Sequence, residues 1–445
     1  MKKYALLFTS LFVFSLAFVS CDDDDEVITP PEANAGENQV AYEGETVALD
    51  ATSSTDEDGS SLTYTWTAPE GITLSSTTDA QPTFTAPDVE EDTDFTFTLT
   101  VNDGSSSTNA SVTSTVLQSD IAYVFNYGSY GNGGASITRF NLETEEATNR
   151  FYQKQNSDLS LELISNIQYG YQHNGNYYLM ANSNDEVIVV NDQFEQTVDG
   201  ISDQIIKPRF CIANGDYLYI SCWGGDLWTD ESVSYIAKFN LTTNTVDQTI
   251  SLPGGPEGLA IANGKLYAAL NYRKSVAVIG LDDDAVSYIE TPAVTSYFLK
   301  DASDNLYVSL INTYSDPSEN PGIGYINTSN STLEETYFLN GMSSNYASVL
   351  SANSDFSKIY VLVSEYGSPS SVHVFDVASG IFNDFVDNID GGIGVTVNPE
   401  NNNIYVFGGA SVTDAGSVAV YNAEGTELNS FSCGVSPYWI SFLDR

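Results

Sequence analysis

Positive charge is what this chain has least of. Its 445 residues hold only 14 Lys and Arg against 60 Asp and Glu, a net charge of −46. A surface that acidic repels phosphate backbones and anionic lipid, which argues against nucleic-acid binding and unaided membrane binding. Histidine is scarcer still, with two residues, His173 and His373. His173 falls in a hairpin and His373 between apolar neighbours on a strand, so neither completes a nucleophile–base–acid set. Four cysteines occur, without the paired Cys or His spacing of a metal centre. Beyond residue 20 no apolar run is long enough to span a bilayer. What is present is apolar and aromatic: 42% hydrophobic residues, with 28 Tyr and 22 Phe. That is enough for a large core, so the acidity does not signal disorder.

The N-terminus reads as a targeting segment. Lys2 and Lys3 precede an apolar stretch ending at Val19-Ser20-Cys21, and an acidic run, Asp22 to Glu26, follows at once. A basic start, a short apolar stretch and a small residue before the break predict a signal peptide over 1–20. Phe18-Val19-Ser20-Cys21 resembles the lipobox of bacterial lipoproteins, which implies a lipidated Cys21. The acidic tether over 21–28 resembles the surface-export signal of Bacteroidota-type lipoproteins. Together they imply an anchor in the outer membrane with the protein facing the cell exterior.

Residues 29–118 read as a small β unit. Val47 and Leu49, then Leu62, Tyr64 and Trp66, alternate with polar residues, the period of half-buried strands. Phe95 to Gly104 repeats the pattern and ends in an Asp-Gly turn. One Trp on an early strand suggests an immunoglobulin-like sandwich. The segments LDATSSTDEDG, LTYTW and LTVNDG resemble the PKD domain, which implies a spacer. Asp56 and Asp58 could hold calcium through hard carboxylate oxygens, or serve as turn residues. No other metal or cofactor is implied.

The remainder, 119–445, is repetitive. An apolar strand, a tight polar turn and a strand centred on Leu-Tyr or Ile-Tyr recur as CIANGDYLYISC, LAIANGKLYAAL, FLKDASDNLYVSL, VLSANSDFSKIYVLV and VTVNPENNNIYVFG. YGYQHNGNYYLMAN is a less regular copy. A third strand and a more polar fourth complete each unit, the signature of a β-propeller. Six units are complete, and the seventh pairs the strand from Ile121 with the orphan strand 435–443, removing the free edges. Seven blades then take about 46 residues each. The fold class is therefore all-β, a PKD-like sandwich followed by a seven-bladed propeller closed by its C-terminal strand. The pattern resembles YncE-like, quinoprotein-type propellers and their surface-lipoprotein relatives.

Aromatic residues gather on the loops of one rim. The connections from second to third strands carry Tyr127, Tyr130, Trp223, Trp228, Tyr272, Tyr314 and Tyr366 among Gly and Ser. Those entering the first strands carry Arg209, Phe210, Tyr297, Tyr346 and Trp439. Stiff amphipathic rings on such loops are the composition of a recognition surface. Arg209, Arg273 and Lys274 could meet an anionic ligand group or pair with local carboxylates. With Cys21 acylated, Cys211, Cys222 and Cys433 remain. A turn at Asn214-Gly215 would set Cys211 opposite Leu218 and leave Cys222 too far along the strand for a disulfide, so free thiols are expected.

These features imply a non-catalytic capture protein. Lipidated propellers of this kind resemble the surface cobalamin-binding lipoproteins that sit over TonB-dependent transporters of the outer membrane. The resemblance implies a corrinoid as ligand and such a transporter as partner. A glycan- or protein-binding adhesion module is the alternative, because stacking aromatics suit sugars equally well.

Overall fold

The structure is a computed structural model that describes residues 29–89, 91–118, 120–129, 134–156, 166–196, 198–312, 320–342, 349–365, 368–409 and 413–442. The chain divides into two compact units after Gln118. Among the described residues no helix is long and apolar enough to cross a membrane.

The first unit is a sandwich of two sheets. One contains Thr63–Thr67, Thr93–Asn102, Ser107–Leu117 and Gln39–Tyr42, the last of these parallel to its neighbour. The other pairs Thr46–Ala48 with Thr83–Thr85. Alternation places Val47, Leu49, Trp66, Phe97, Leu99 and Val101 inward. Trp66 is buried, and its indole N–H donates to the Asp79 carbonyl at 3.1 Å. Asp56 and Asp58 both accept hydrogen bonds within the loop region. Asp56 accepts from the amides of Asp58 and Ser60, and Asp58 accepts from the amide and hydroxyl of Thr29.

The second unit is the propeller. Blade 1 begins at Ile167–His173, blade 2 at Pro208–Asn214, blade 3 at Pro256–Ala262 and blade 4 at Val294–Lys300. Blades 5 and 6 have shorter inner strands, Leu350–Ala352 and Gly394–Val397. Blade 7 is composite: Pro437–Phe442 pairs with Ile121–Asn126, followed by Ser136–Asn141 and Ala147–Thr148. The C-terminal strand thus closes the ring. Successive inner strands pack against one another, and blade 7 returns to blade 1. Between blades lie separate apolar clusters, such as Leu259, Leu266, Leu270 and Ile279 against Tyr219 and Ile236.

Two expectations need correction. Among the described residues blade 1 is not complete: it has three strands, ending with Asn176–Ala181 and Glu186–Asn191, and a single bridge between Val187 and Ile201 stands where a fourth strand would pair. The hairpin of blade 2 also turns one residue later than expected, at Gly215-Asp216, because Asn214 pairs with Tyr217. Gly215 takes the positive φ of 57° that the first loop position of a type II′ turn needs. Cys211 therefore lies opposite Ile220, not Leu218. Cys211, Cys222 and Cys433 are nonetheless free and buried, and burial pushes the Cys222 and Cys433 thiols up to about 12.

Candidate ligand-binding face

Five inner strands share one irregularity. In blades 1, 2, 3, 4 and 7 the pairing slips near the start of the strand, between Ile167 and Gly170, Pro208 and Phe210, Pro256 and Leu259, Thr295 and Phe298, and Pro437 and Trp439. A bulge re-aims the side chains that it carries. Aligned on it, the strands read Gln168-Tyr169, Arg209-Phe210, Glu257-Gly258, Ser296-Tyr297 and Tyr438-Trp439. Pro opens three of these strands, where its missing N–H costs nothing. Gly258 is the exception to the aromatic series, and it has a steric cause. A Cβ there would come within 2.7 Å of the Tyr297 ring.

The first residues of three of these pairs, Gln168, Arg209 and Glu257, form a buried polar knot. The Arg209 guanidinium donates to both carboxylate oxygens of Glu257 through Nε, at 2.9 and 3.0 Å, and again through Nη2 at 2.6 Å. Its Nη1 donates to Gln168 Oε1 at 3.0 Å, and the Tyr297 hydroxyl donates to Glu257 Oε1 at 2.9 Å. Glu257 has no exposed surface and Arg209 only 6%. Burial alone would lower the Arg209 pKa, but the charge and hydrogen bonds of Glu257 outweigh it and hold the guanidinium above its ordinary value. Burial, then the Glu257 charge, raises Tyr297 well above the usual phenol range. Serines on the neighbouring strands pin the bulges: Ser221 Oγ donates to the Glu257 carbonyl at 2.7 Å, and the Tyr297 amide donates to Ser309 Oγ at 2.9 Å.

The second residues form a ring stack. Phe125 meets Trp439 at 4.7 Å, Trp439 meets Tyr169 at 5.2 Å, and Tyr169 stacks on Phe210 at 3.8 Å. Phe210 reaches Tyr297 at 5.9 Å. Tyr169, Phe210 and Trp439 are half-buried, whereas Tyr297 is buried. Tyr127 is also buried and packs edge-on against Tyr438.

A second aromatic group stands on the loops of blades 2 and 3. Arg209 lies over the Trp223 ring, 4.0 Å from its centroid. Tyr272 meets Trp223 edge-on at 5.6 Å and Trp228 at 5.8 Å. Trp223 and Tyr272 are half-buried, and Trp228 is 73% exposed. The loop that carries Trp228 is ordered by its own side chains. Asp226 accepts from the Trp228 amide and the Thr229 hydroxyl, Asp230 accepts from the Ser232 amide and hydroxyl, and Leu227 is buried. The Ser232 bonds hold the Asp230 carboxyl below the usual carboxylate range. The Trp223 indole nitrogen is buried and has no hydrogen-bond partner among the described residues.

The sequence-derived residues therefore divide. Phe210, Trp223, Trp228, Tyr272 and Trp439 present rings at or near the surface, and Tyr127, Arg209 and Tyr297 lie beneath them. Arg273 pairs with Glu231 at 3.0 Å, both about half exposed. Cys21, Tyr130, Tyr314, Tyr346 and Tyr366 lie outside the described residues. Sequence reasoning missed Gln168, Tyr169 and Glu257. Their signal was the offset itself, since Pro256-Glu257-Gly258 matches Pro208-Arg209-Phe210 one blade away with the charge reversed. The histidines stand apart from this group: His373 bonds to Ser371 and Asp384 on blade 5, and His173 ends the inner strand of blade 1.

Residues 120–439 match the family described as Domain of unknown function (DUF5074). The chain belongs to that family. Residues 35–116 match a PKD domain family. Chitinase A of Pseudoalteromonas piscicida is 42% identical over 69 residues, 16% of this chain and 8% of that protein, so the chain spans only a small part of this curated relative. A quinonprotein alcohol dehydrogenase-like protein of Bacteroides thetaiotaomicron superposes with a TM-score of 0.54 at 16% identity, over 92% of this chain and 99% of that one. A 6-phosphogluconolactonase-like structure from Bacteroides uniformis also gives 0.54, at 12% identity, over 73% and 100%. At those identities the likeness concerns the fold of this DUF5074 member, not its chemistry.

Proposed function

We propose that this protein captures a ligand on the aromatic face of its propeller, without catalysis, while anchored through Cys21 to the outside of an outer membrane. The observation that carries the reading is the Trp223–Tyr272–Trp228 group. Three rings set edge to face on ordered loops, one of them largely exposed, offer flat apolar area at little entropic cost. A corrinoid suits this face because it is broad and rich in amide carbonyls. Delivery to a TonB-dependent transporter is the role that follows. The separation of both histidines from the rings supports a binding role over an enzymatic one.

The test is calorimetry of the full chain with cyanocobalamin. Binding at about 1 µM or tighter is expected, with Tyr272→Ala weakening it about tenfold or more. Absence of heat at ten times that concentration sinks the corrinoid reading. Trp228 favours one second reading, since an indole this exposed is also a stacking platform for a sugar. Binding to a glycan panel, lost in Trp228→Ala with cyanocobalamin silent, would establish that alternative.

A further inference from the structure

The inner strands of blades 1 to 4 meet again at their far ends. Their first halves carry the polar knot and the ring stack, whereas their second halves border a cavity of about 340 Å³. Tyr171, Ile212, Ile261 and Phe298, one from each blade and all half-buried, give it apolar walls. The Tyr171 hydroxyl accepts from the Ala213 amide at 3.2 Å, which ties its ring to the next blade. Ile261 and Lys300 also border a second, polar cavity of about 390 Å³, so the two adjoin. Asp282 and Asp304 line this second cavity, and Lys300 is the one cation among the described residues that border either. Its ammonium donates to the Ile261 carbonyl at 3.2 Å and pairs with the half-exposed Asp304 at 3.1 Å. Asp304 also accepts from the Asn263 amide, so its carboxylate is engaged on both sides. A lysine ammonium has three N–H groups, and the third remains for a ligand.

We propose that these adjoining cavities bind a free α-amino acid with an apolar side chain. The side chain enters the apolar cavity, the carboxylate takes the third N–H of Lys300, and the ammonium meets the exposed Asp282 carboxylate in the polar one. Concave sites of about 300 Å³ and above, mostly apolar with a few placed polar groups, are the usual seats of small molecules. The charge of the whole chain selects the zwitterion. A body with a net charge of −46 repels a simple carboxylate, whereas an amino acid carries no net charge and brings a cation for the acidic side. The proposal is independent of the aromatic face at the other ends of these strands.

Calorimetric titration of the full chain with L-phenylalanine, in about 0.15 M salt, tests it. Saturable binding with a Kd below about 1 mM is expected. Glycine, which lacks the apolar body, and 3-phenylpropanoate, which lacks the ammonium, should each bind about tenfold or more weakly. Two substitutions at exposed side chains, which leave the core untouched, locate the site. Lys300→Gln should weaken L-phenylalanine about tenfold, whereas Asp282→Asn should weaken L-phenylalanine and leave 3-phenylpropanoate no weaker than before. No saturable heat up to about 10 mM, equal binding of glycine or 3-phenylpropanoate, or wild-type affinity for L-phenylalanine in either variant overturns the proposal.

Discussion

Glu257 has no exposed surface, and three of its hydrogen bonds come from one guanidinium. Removing its charge leaves Arg209 buried and uncompensated, which costs far more than the intact pair contributes. Glu257→Gln is therefore expected to destabilise the propeller by about 3 kcal/mol in urea unfolding. Glu231→Gln, which breaks the half-exposed Arg273 pair, should cost under about 1 kcal/mol because solvent screens it. Equal losses would show that burial does not set the difference. Asp304 carries a different consequence. The Asn263 amide, then Lys300, holds its carboxyl below the usual range in the folded state. The folded protein binds that proton less readily than the unfolded chain, so the stabilisation is present above the unfolded pKa and is lost as pH falls through the folded one. Thermal melts between about pH 5 and pH 3 should fall less steeply for Asp304→Asn than for the wild type, and parallel curves would remove Asp304 from the acid response.

At the level of the element, the ring closure can be tested directly. Pro437–Phe442 supplies the inner strand of blade 7 and buries Tyr438 and Ile440. Deleting 436–445 would expose Ile121–Asn126 as an open edge and remove several ladder bonds. With about 1 kcal/mol net per bond plus the lost burial, the melting point should drop by about 10 °C or more, and the open edge should promote association visible by size exclusion. An unchanged, monomeric protein would mean that the strand does not close the ring. This closure was legible in the sequence because both orphan strands were strongly apolar at opposite ends. The register of the Cys211 hairpin was not. Pairing Cys211 with Leu218 or with Ile220 buries the same alternating face, so periodicity carries no information between the two, and Asn-Gly and Gly-Asp are both acceptable turns. The missing outer strand of blade 1 was hidden for a related reason. The outer strands of the other blades are mostly exposed and polar, so the absence of one leaves little trace in hydropathy. The bulge at the head of the inner strands was half legible: its aromatic position stood out in TSYF and SPYWI and Arg209 stood out among the scarce cations, whereas its partner Glu257 was one acidic residue among sixty.

Over the whole molecule, charge imbalance sets the balance of long-range forces. Fourteen cations cannot neutralise sixty carboxylates, and one of the few, Arg209, is spent inside the propeller. Most carboxylates therefore meet other carboxylates, and their repulsion favours the expanded chain. Added salt shortens the reach of that repulsion from about 10 Å at 0.1 M to about 3 Å at 1 M, while the buried Arg209–Glu257 pair is screened far less. The melting point should consequently rise as NaCl is raised over that range, because the destabilising interactions are the exposed ones. Scanning calorimetry of the full chain checks this. A melting point that falls with NaCl would mean that attractive surface pairs such as Arg273–Glu231 and Lys300–Asp304 outweigh the net repulsion.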